Sequence, residues 1–201
     1  MTDSLDAQRS HPRGFRGWIA GRLMLLRPSD RARVRWAVSL LELQPHDRVL
    51  DVGCGPGYST GIIARQVTQG FVVGLDRSEL MTAMAQRRLR SHLASRRVML
   101  VCAEAQDLPK FDVTFDKVAS IDAFRIEENP SATLRHLRAR MTPGGRIAMV
   151  VSPHERNASA QVLGGRVAES LRAAGFERPE PHFNRSLSRA PAVCVTARAP
   201  A

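Results

Sequence analysis

The chain has 201 residues, 43% hydrophobic and 24% charged, which suits one soluble globular domain with a sizeable core. Its formal net charge is +11, yet the excess is nearly all arginine and is spread along the chain rather than interleaved with aromatics, so nucleic acid is a disfavoured partner. No apolar stretch is long enough to span a bilayer, and the start M-T-D-S-L-D-A-Q-R-S lacks the apolar core of a signal peptide. Cys54, Cys102 and Cys194 form no C-x-x-C, which argues against a zinc site or disulfide framework and for reduced, buried thiols in a cytoplasmic protein.

In chain order, F-R-G-W-I-A-G-R-L-M-L-L (Phe15 to Leu26) reads as a short covering helix. Ser29 caps a helix to about Leu43, with Val34, Ala37, Val38 and Leu41 inward. Residues 1–45 are therefore expected to form a helical cap over the site of a single domain, 1–201. Val49, Leu50 and Val52 mark a first strand, and a helix runs from Ser59 to about Val67. Phe71 to Leu75 is a second strand ending at Asp76, and Ser78 caps a helix to about Leu93.

Arg97 to Cys102 is a third strand and Val113 to Ile121 a fourth, ending near Asp122. A helix from Ser131 to Met141 is stopped by T-P-G-G, and Arg146 to Val151 is a fifth strand. A further helix spans Gln161 to Ala174. Two extended pieces then follow, Glu180–Leu187 and Pro191–Ala199, whose short connection makes them antiparallel. Strands alternating with helices imply an α/β fold: a doubly wound, mostly parallel sheet with helices on both faces.

The turn after the first strand carries the chemistry. In V-L-D-V-G-C-G-P-G-Y-S-T, three alternate glycines, Gly53, Gly55 and Gly57, sit between strand and helix. Glycine there permits φ > 0 and lets a ligand approach the bare main chain, facing the N–H groups that open the helix. The sixth position of a dinucleotide G-x-G-x-x-G is Tyr58 here, and no G-x-x-x-x-G-K-[ST] exists, so neither a dinucleotide fingerprint nor a P-loop is present. An acid ending the second strand, Asp76, suits both hydroxyls of a ribose.

D-V-G-C-G-P-G, opened by Asp51, resembles motif I of the class I S-adenosylmethionine (SAM)-dependent methyltransferases, specifically the small, single-domain type 11/25-like members. V-V-G-L-D-R-S-E-L-M, A-E-A-Q-D-L-P, F-D-K-V and L-R-H-L-R-A-R-M-T-P-G-G-R-I resemble the later motifs in order, over roughly residues 30 to 198. The resemblance implies a Rossmann-like seven-stranded sheet whose last strand is antiparallel, and SAM as cofactor with S-adenosylhomocysteine as product.

It also implies contacts. Gly53, Cys54, Gly55, Gly57 and Tyr58 line the methionine part, with Asp51 near its amino group. Asp76 takes the ribose hydroxyls and Arg77 flanks ribose and adenine. Glu104, where the family has aspartate, accepts from the adenine amino group beside the Ala105 N–H. Ser120 borders the sulfonium.

A cofactor that carries its own leaving group leaves the protein to align the acceptor, and a base is needed only if the acceptor loses a proton. His154 and Asp122, in loops at the carboxyl edge of the sheet, are the base candidates. The chain has no [DN]-P-P-Y, no Pro-Cys and no metal-ligand cluster, so a small, partly apolar acceptor is expected. A SAM-binding protein without turnover, or an RNA or DNA methyltransferase using the basic surface, stands as the alternative. Monomer and homodimer are both open.

Overall fold

A computed structural model of the chain describes residues 28–124, 130–151, 159–184 and 192–201. The expected helix at Phe15–Leu26, the candidate base His154, and loop residues Arg125, Glu127 and Glu155 lie outside the described residues. The elements run α1 (Pro28–Ser39), β1 (Arg48–Val52), α2 (Tyr58–Gln66), β2 (Phe71–Asp76), α3 (Glu79–Arg88), α4 (Arg90–Ala94), β3 (Val98–Cys102), β4 (Phe115–Ile121), α5 (Ser131–Arg138), β5 (Met141–Val151), α6 (Ala160–Ala173), β6 (Glu177–Asn184) and β7 (Ala192–Arg198).

Seven strands form one sheet in the order β3-β2-β1-β4-β5-β7-β6. The first five are parallel. β7 enters antiparallel between β5 and β6, with Ala148 opposite Thr196 on one side and His182 opposite Cys194 on the other. The strand order reverses at β1, so β1 and β4 part at their carboxyl ends, the crevice where ligands of open α/β sheets bind.

Side chains alternate across the sheet and divide the core in two. Val49, Val72, Ala119 and Ala148 face Ala37, Val38, Leu41, Ile63 and Leu89 of the α1–α4 layer. Leu50, Val73, Val118 and Ile147 face Leu134, Leu137, Leu163 and Leu171 of the α5–α6 layer. Buried on both sides, the strands read as near-continuous apolar runs.

Several boundaries differ from expectation. The first helix ends at Ser39 rather than Leu43, where backbone bonds switch to the tighter i→i−3 pattern at Leu41 and Glu42 and Glu42 takes φ 54°. The helix after Ser78 breaks at Leu89, whose methyls turn into the space that Gly57 and Gly61 leave bare. β5 starts at Met141, five residues early, because Met141 pairs with Phe115 across a bulge and the Thr142 hydroxyl bonds Asp116 Oδ1 at 3.2 Å. The three thiols are free, but Cys102 is exposed rather than buried, since β3 is an edge strand.

Candidate cofactor site

The site grows from the end of β1. The N–H groups of Gly53 and Cys54 both donate to Leu75 O, at 2.7 and 2.9 Å, which staples the turn to β2. Gly53, Gly55 and Gly57 have φ of 70°, 53° and 79°, so the backbone winds left-handed through alternate residues. A Cβ on Gly53 would run into Ala123 of the segment after β4, whereas among the described residues nothing lies within 4 Å of where a Cβ on Gly55 would stand. The turn is thus closed on one side and open on the other, and the opening lies over Gly55.

Asp76 completes this cradle. Its Oδ2 accepts the Gly55 N–H at 2.8 Å and its Oδ1 accepts the Ser78 N–H at 2.9 Å. A carboxylate has about four acceptor positions, so two remain for a ligand. Burial raises the Asp76 pKa, against which the two backbone donors act. Ser78 in turn caps α3 by accepting the Met81 N–H at 3.4 Å.

Asp51 is buried, and its Oδ2 accepts the hydroxyls of Ser59 at 2.7 Å and Thr60 at 2.6 Å. It therefore ties the first turn of α2 to β1. Burial pushes its pKa up to about 6, opposed by the two hydroxyls and reinforced by the charge of Asp76. Cys54 turns its buried thiol toward Gly74, and its carbonyl accepts the Gly57 N–H at 3.0 Å. Burial holds that thiol well above its ordinary value.

Tyr58 opens α2, with its hydroxyl accepting from Arg35 at 3.2 Å and the Arg31 guanidinium 5.9 Å from its ring centroid. Arg77 and Glu104 flank the cradle and pair at 3.6 Å, each side chain about two-fifths exposed (39% and 43%). Ala105 begins a single tight turn, Ala105–Asp107. Ser120, opposite Val52 in β1, is fully buried, and its hydroxyl has no hydrogen-bond partner among the described residues. An orphaned buried hydroxyl is costly unless a partner meets it.

Asp122 is not placed as an open base. It stands at φ 53°, its N–H donates to Val150 O at 3.0 Å, and its carboxylate pairs with Arg33 of α1 at 2.9 Å. Arg33 also reaches Asp30 at 3.3 Å. Sequence reasoning missed Arg33, Ser59, Thr60 and Ala123. The hydroxyls had a signal, lying eight and nine residues after Asp51, but Arg33 and Asp122 are too far apart in the chain to be read as a pair.

Residues 49–145 match the model of a methyltransferase domain family. The chain is 27% identical to an uncharacterized methyltransferase of Bacillus subtilis (strain 168), over 91% of this chain and 99% of that protein. A methyltransferase domain is thus matched over residues 49–145, and the seven-stranded sheet is that of the class I SAM-dependent methyltransferases. It is also 36% identical to the demethylmenaquinone methyltransferase of Symbiobacterium thermophilum, over 54% of this chain and 44% of that protein, so it spans less than half of that relative. Magnesium protoporphyrin IX methyltransferase from Synechocystis PCC 6803, solved with bound SAM, shares the fold at TM-score 0.61 and 21% identity, covering 89% of this chain and 80% of that one.

SAM is the cofactor of methyltransferases of this fold, and the residues present fit it: an open glycine turn for an amino-acid backbone and a two-oxygen acceptor for a diol.

Proposed function

We propose that this methyltransferase acts on a small-molecule acceptor, aligning it against the methyl group at the carboxyl ends of β1 and β4. The observation that carries this is the Gly55–Asp76 contact beside an open turn. Two of the similar proteins, named for a demethylmenaquinone and a magnesium protoporphyrin, support a small acceptor. Among the described residues, no helix is long and apolar enough to cross a membrane, which is consistent with a cytoplasmic enzyme.

The residues divide the work. The main chain of Gly53 to Gly57 follows the methionine part, and Asp51 holds that turn through Ser59 and Thr60 rather than by direct reach. Asp76 accepts the ribose hydroxyls at the positions its two backbone donors leave free. Glu104 accepts the adenine amino group, steered by Arg77, and Ala105 offers its N–H beside it. Ser120 gives its hydroxyl to the buried side of the site.

When bound, SAM supplies a methyl group on a cationic sulfur that is its own leaving group. The protein then has to hold an acceptor in line and keep water out. α1 caps the crevice, reaching it through the Arg33–Asp122 pair. Asp122 is engaged in that ion pair, and it and His154 are the two candidates for acceptors that must lose a proton.

The test is calorimetric titration with S-adenosylhomocysteine, followed by a screen of phenols, quinols and small carboxylic acids for SAM-dependent methylation. Binding with turnover on any of these supports the reading. Absence of cofactor binding ends it.

A further inference from the structure

Tyr58 is the meeting point of three arginines from two helices. Arg31 and Arg35 are one turn apart on α1, the first 5.9 Å from the centroid of the Tyr58 ring and the second donating to its hydroxyl at 3.2 Å. Arg88 of α3 donates through Nε to Pro56 O at 2.9 Å, two residues before Tyr58. All three are exposed, so solvent and solutes reach them.

Residues one turn apart on a helix repel when their charges match. Burial, and then the charge of Arg31, draw the Arg88 pKa below its ordinary value. Among the described residues, Asp30 and Asp122 at this end of the site are both engaged by Arg33. The described hydrogen bonds of Arg35 and Arg88 go to a phenol and a carbonyl, which leave their charges uncompensated.

We infer that Arg31, Arg35 and Arg88 form a seat for the carboxylate or phosphate group of an anionic methyl acceptor. A planar guanidinium has donors to spare after one bond and matches either anion in pairs. Tyr58 fixes where two of them point. Pro56 and Tyr58 are one and three residues on from Gly55, so an anion held here lies beside the turn that opens at Gly55. This rests on the proposed small-molecule methyltransferase activity and adds to it the charge of the substrate.

Full-length protein saturated with S-adenosylhomocysteine is titrated with inorganic pyrophosphate and with citrate at low ionic strength. Saturable binding is expected, weakened at least tenfold in the Arg35→Gln/Arg88→Gln double variant. It should be unchanged in Arg166→Gln/Arg172→Gln, which removes two exposed arginines from α6 on the opposite layer. No binding by wild type, or equal losses in both double variants, overturns the seat and leaves only diffuse positive charge. A matching loss of S-adenosylhomocysteine affinity in Arg35→Gln/Arg88→Gln also overturns it, because the seat would then serve the cofactor's own carboxylate. If wild type binds no S-adenosylhomocysteine, the methyltransferase reading is what fails, and the same titration of cofactor-free protein decides the seat by itself.

Discussion

The Gly55 amide donates to Asp76 Oδ2 at 2.8 Å, so the turn after β1 and the acid ending β2 are one unit. Replacing Asp76 with Ala removes two acceptors from the backbone and the proposed partner of a diol. Hydrogen bonds to a charged group contribute about 1.5–3 kcal/mol each. S-adenosylhomocysteine affinity should therefore fall about a hundredfold or more by calorimetry. A change of less than threefold would remove Asp76 from the site.

Two neighbouring glycines should respond in opposite ways. At Gly53 a methyl group meets Ala123 and the backbone is left-handed, so Gly53→Ala should cost several kcal/mol, about 2–4, in urea unfolding. At Gly55 the methyl group meets none of the described residues, so Gly55→Ala should carry only the left-handed strain, about 1–2 kcal/mol. It should nonetheless damage cofactor binding more than its stability loss suggests, because the methyl group occupies the opening. Equal stability losses in the two variants would contradict the asymmetry.

Asp51 should leave a mark on the pH dependence of stability. Its folded-state pKa, about 6, lies above the ordinary 3.8, so the native state holds the proton more tightly than the unfolded chain. The resulting stabilisation is complete below about pH 4 and is lost as pH rises through about 6, a change of roughly 3 kcal/mol for the shift stated. Asp51→Asn should remove this component, so the difference in Tm between variant and wild type should grow in the variant's favour from pH 4 to pH 7. A pH-independent difference would show that the shift is absent.

The Arg33–Asp122 pair separates a structural role from a catalytic one. The side chains are 20% and 29% exposed, and such a pair contributes about 1 kcal/mol. Arg33→Ala and Asp122→Asn should loosen the 122–124 segment alike in hydrogen exchange, and the double variant should lose little more than either alone. Once an acceptor is found, both should lower turnover by the same factor with an unchanged pH profile. If Asp122→Asn alone abolishes an acid limb of that profile, Asp122 is the base.

The features legible in the sequence were those written in short, local patterns. Near-continuous apolar runs and the triple glycine placed β1, β2 and the turn after β1, and Asp76 was visible as the acid at the end of β2. Ends of elements were less legible, because Met141 joins β5 through pairing with Phe115, and Leu89 breaks its helix to fill a gap beside Gly57 and Gly61. Asp51 was visible but its partners were not, since only the phase of α2 brings Ser59 and Thr60 onto one oxygen. The Arg33–Asp122 pair and the arginines round Tyr58 depend on where α1 docks, which no local pattern encodes.

The insertion of β7 between β5 and β6 has a consequence for how the chain folds as it is made. β6 neighbours only β7 in the sheet, so Glu177–Asn184 emerges from the ribosome with no strand to pair with. One edge of β5 likewise waits, unprotected, until Ala192–Arg198 has been synthesised. The nascent protein completes its cofactor crevice at β1 and β4 well before it closes its sheet. The interval between the two is when it is most exposed to aggregation and to chaperones.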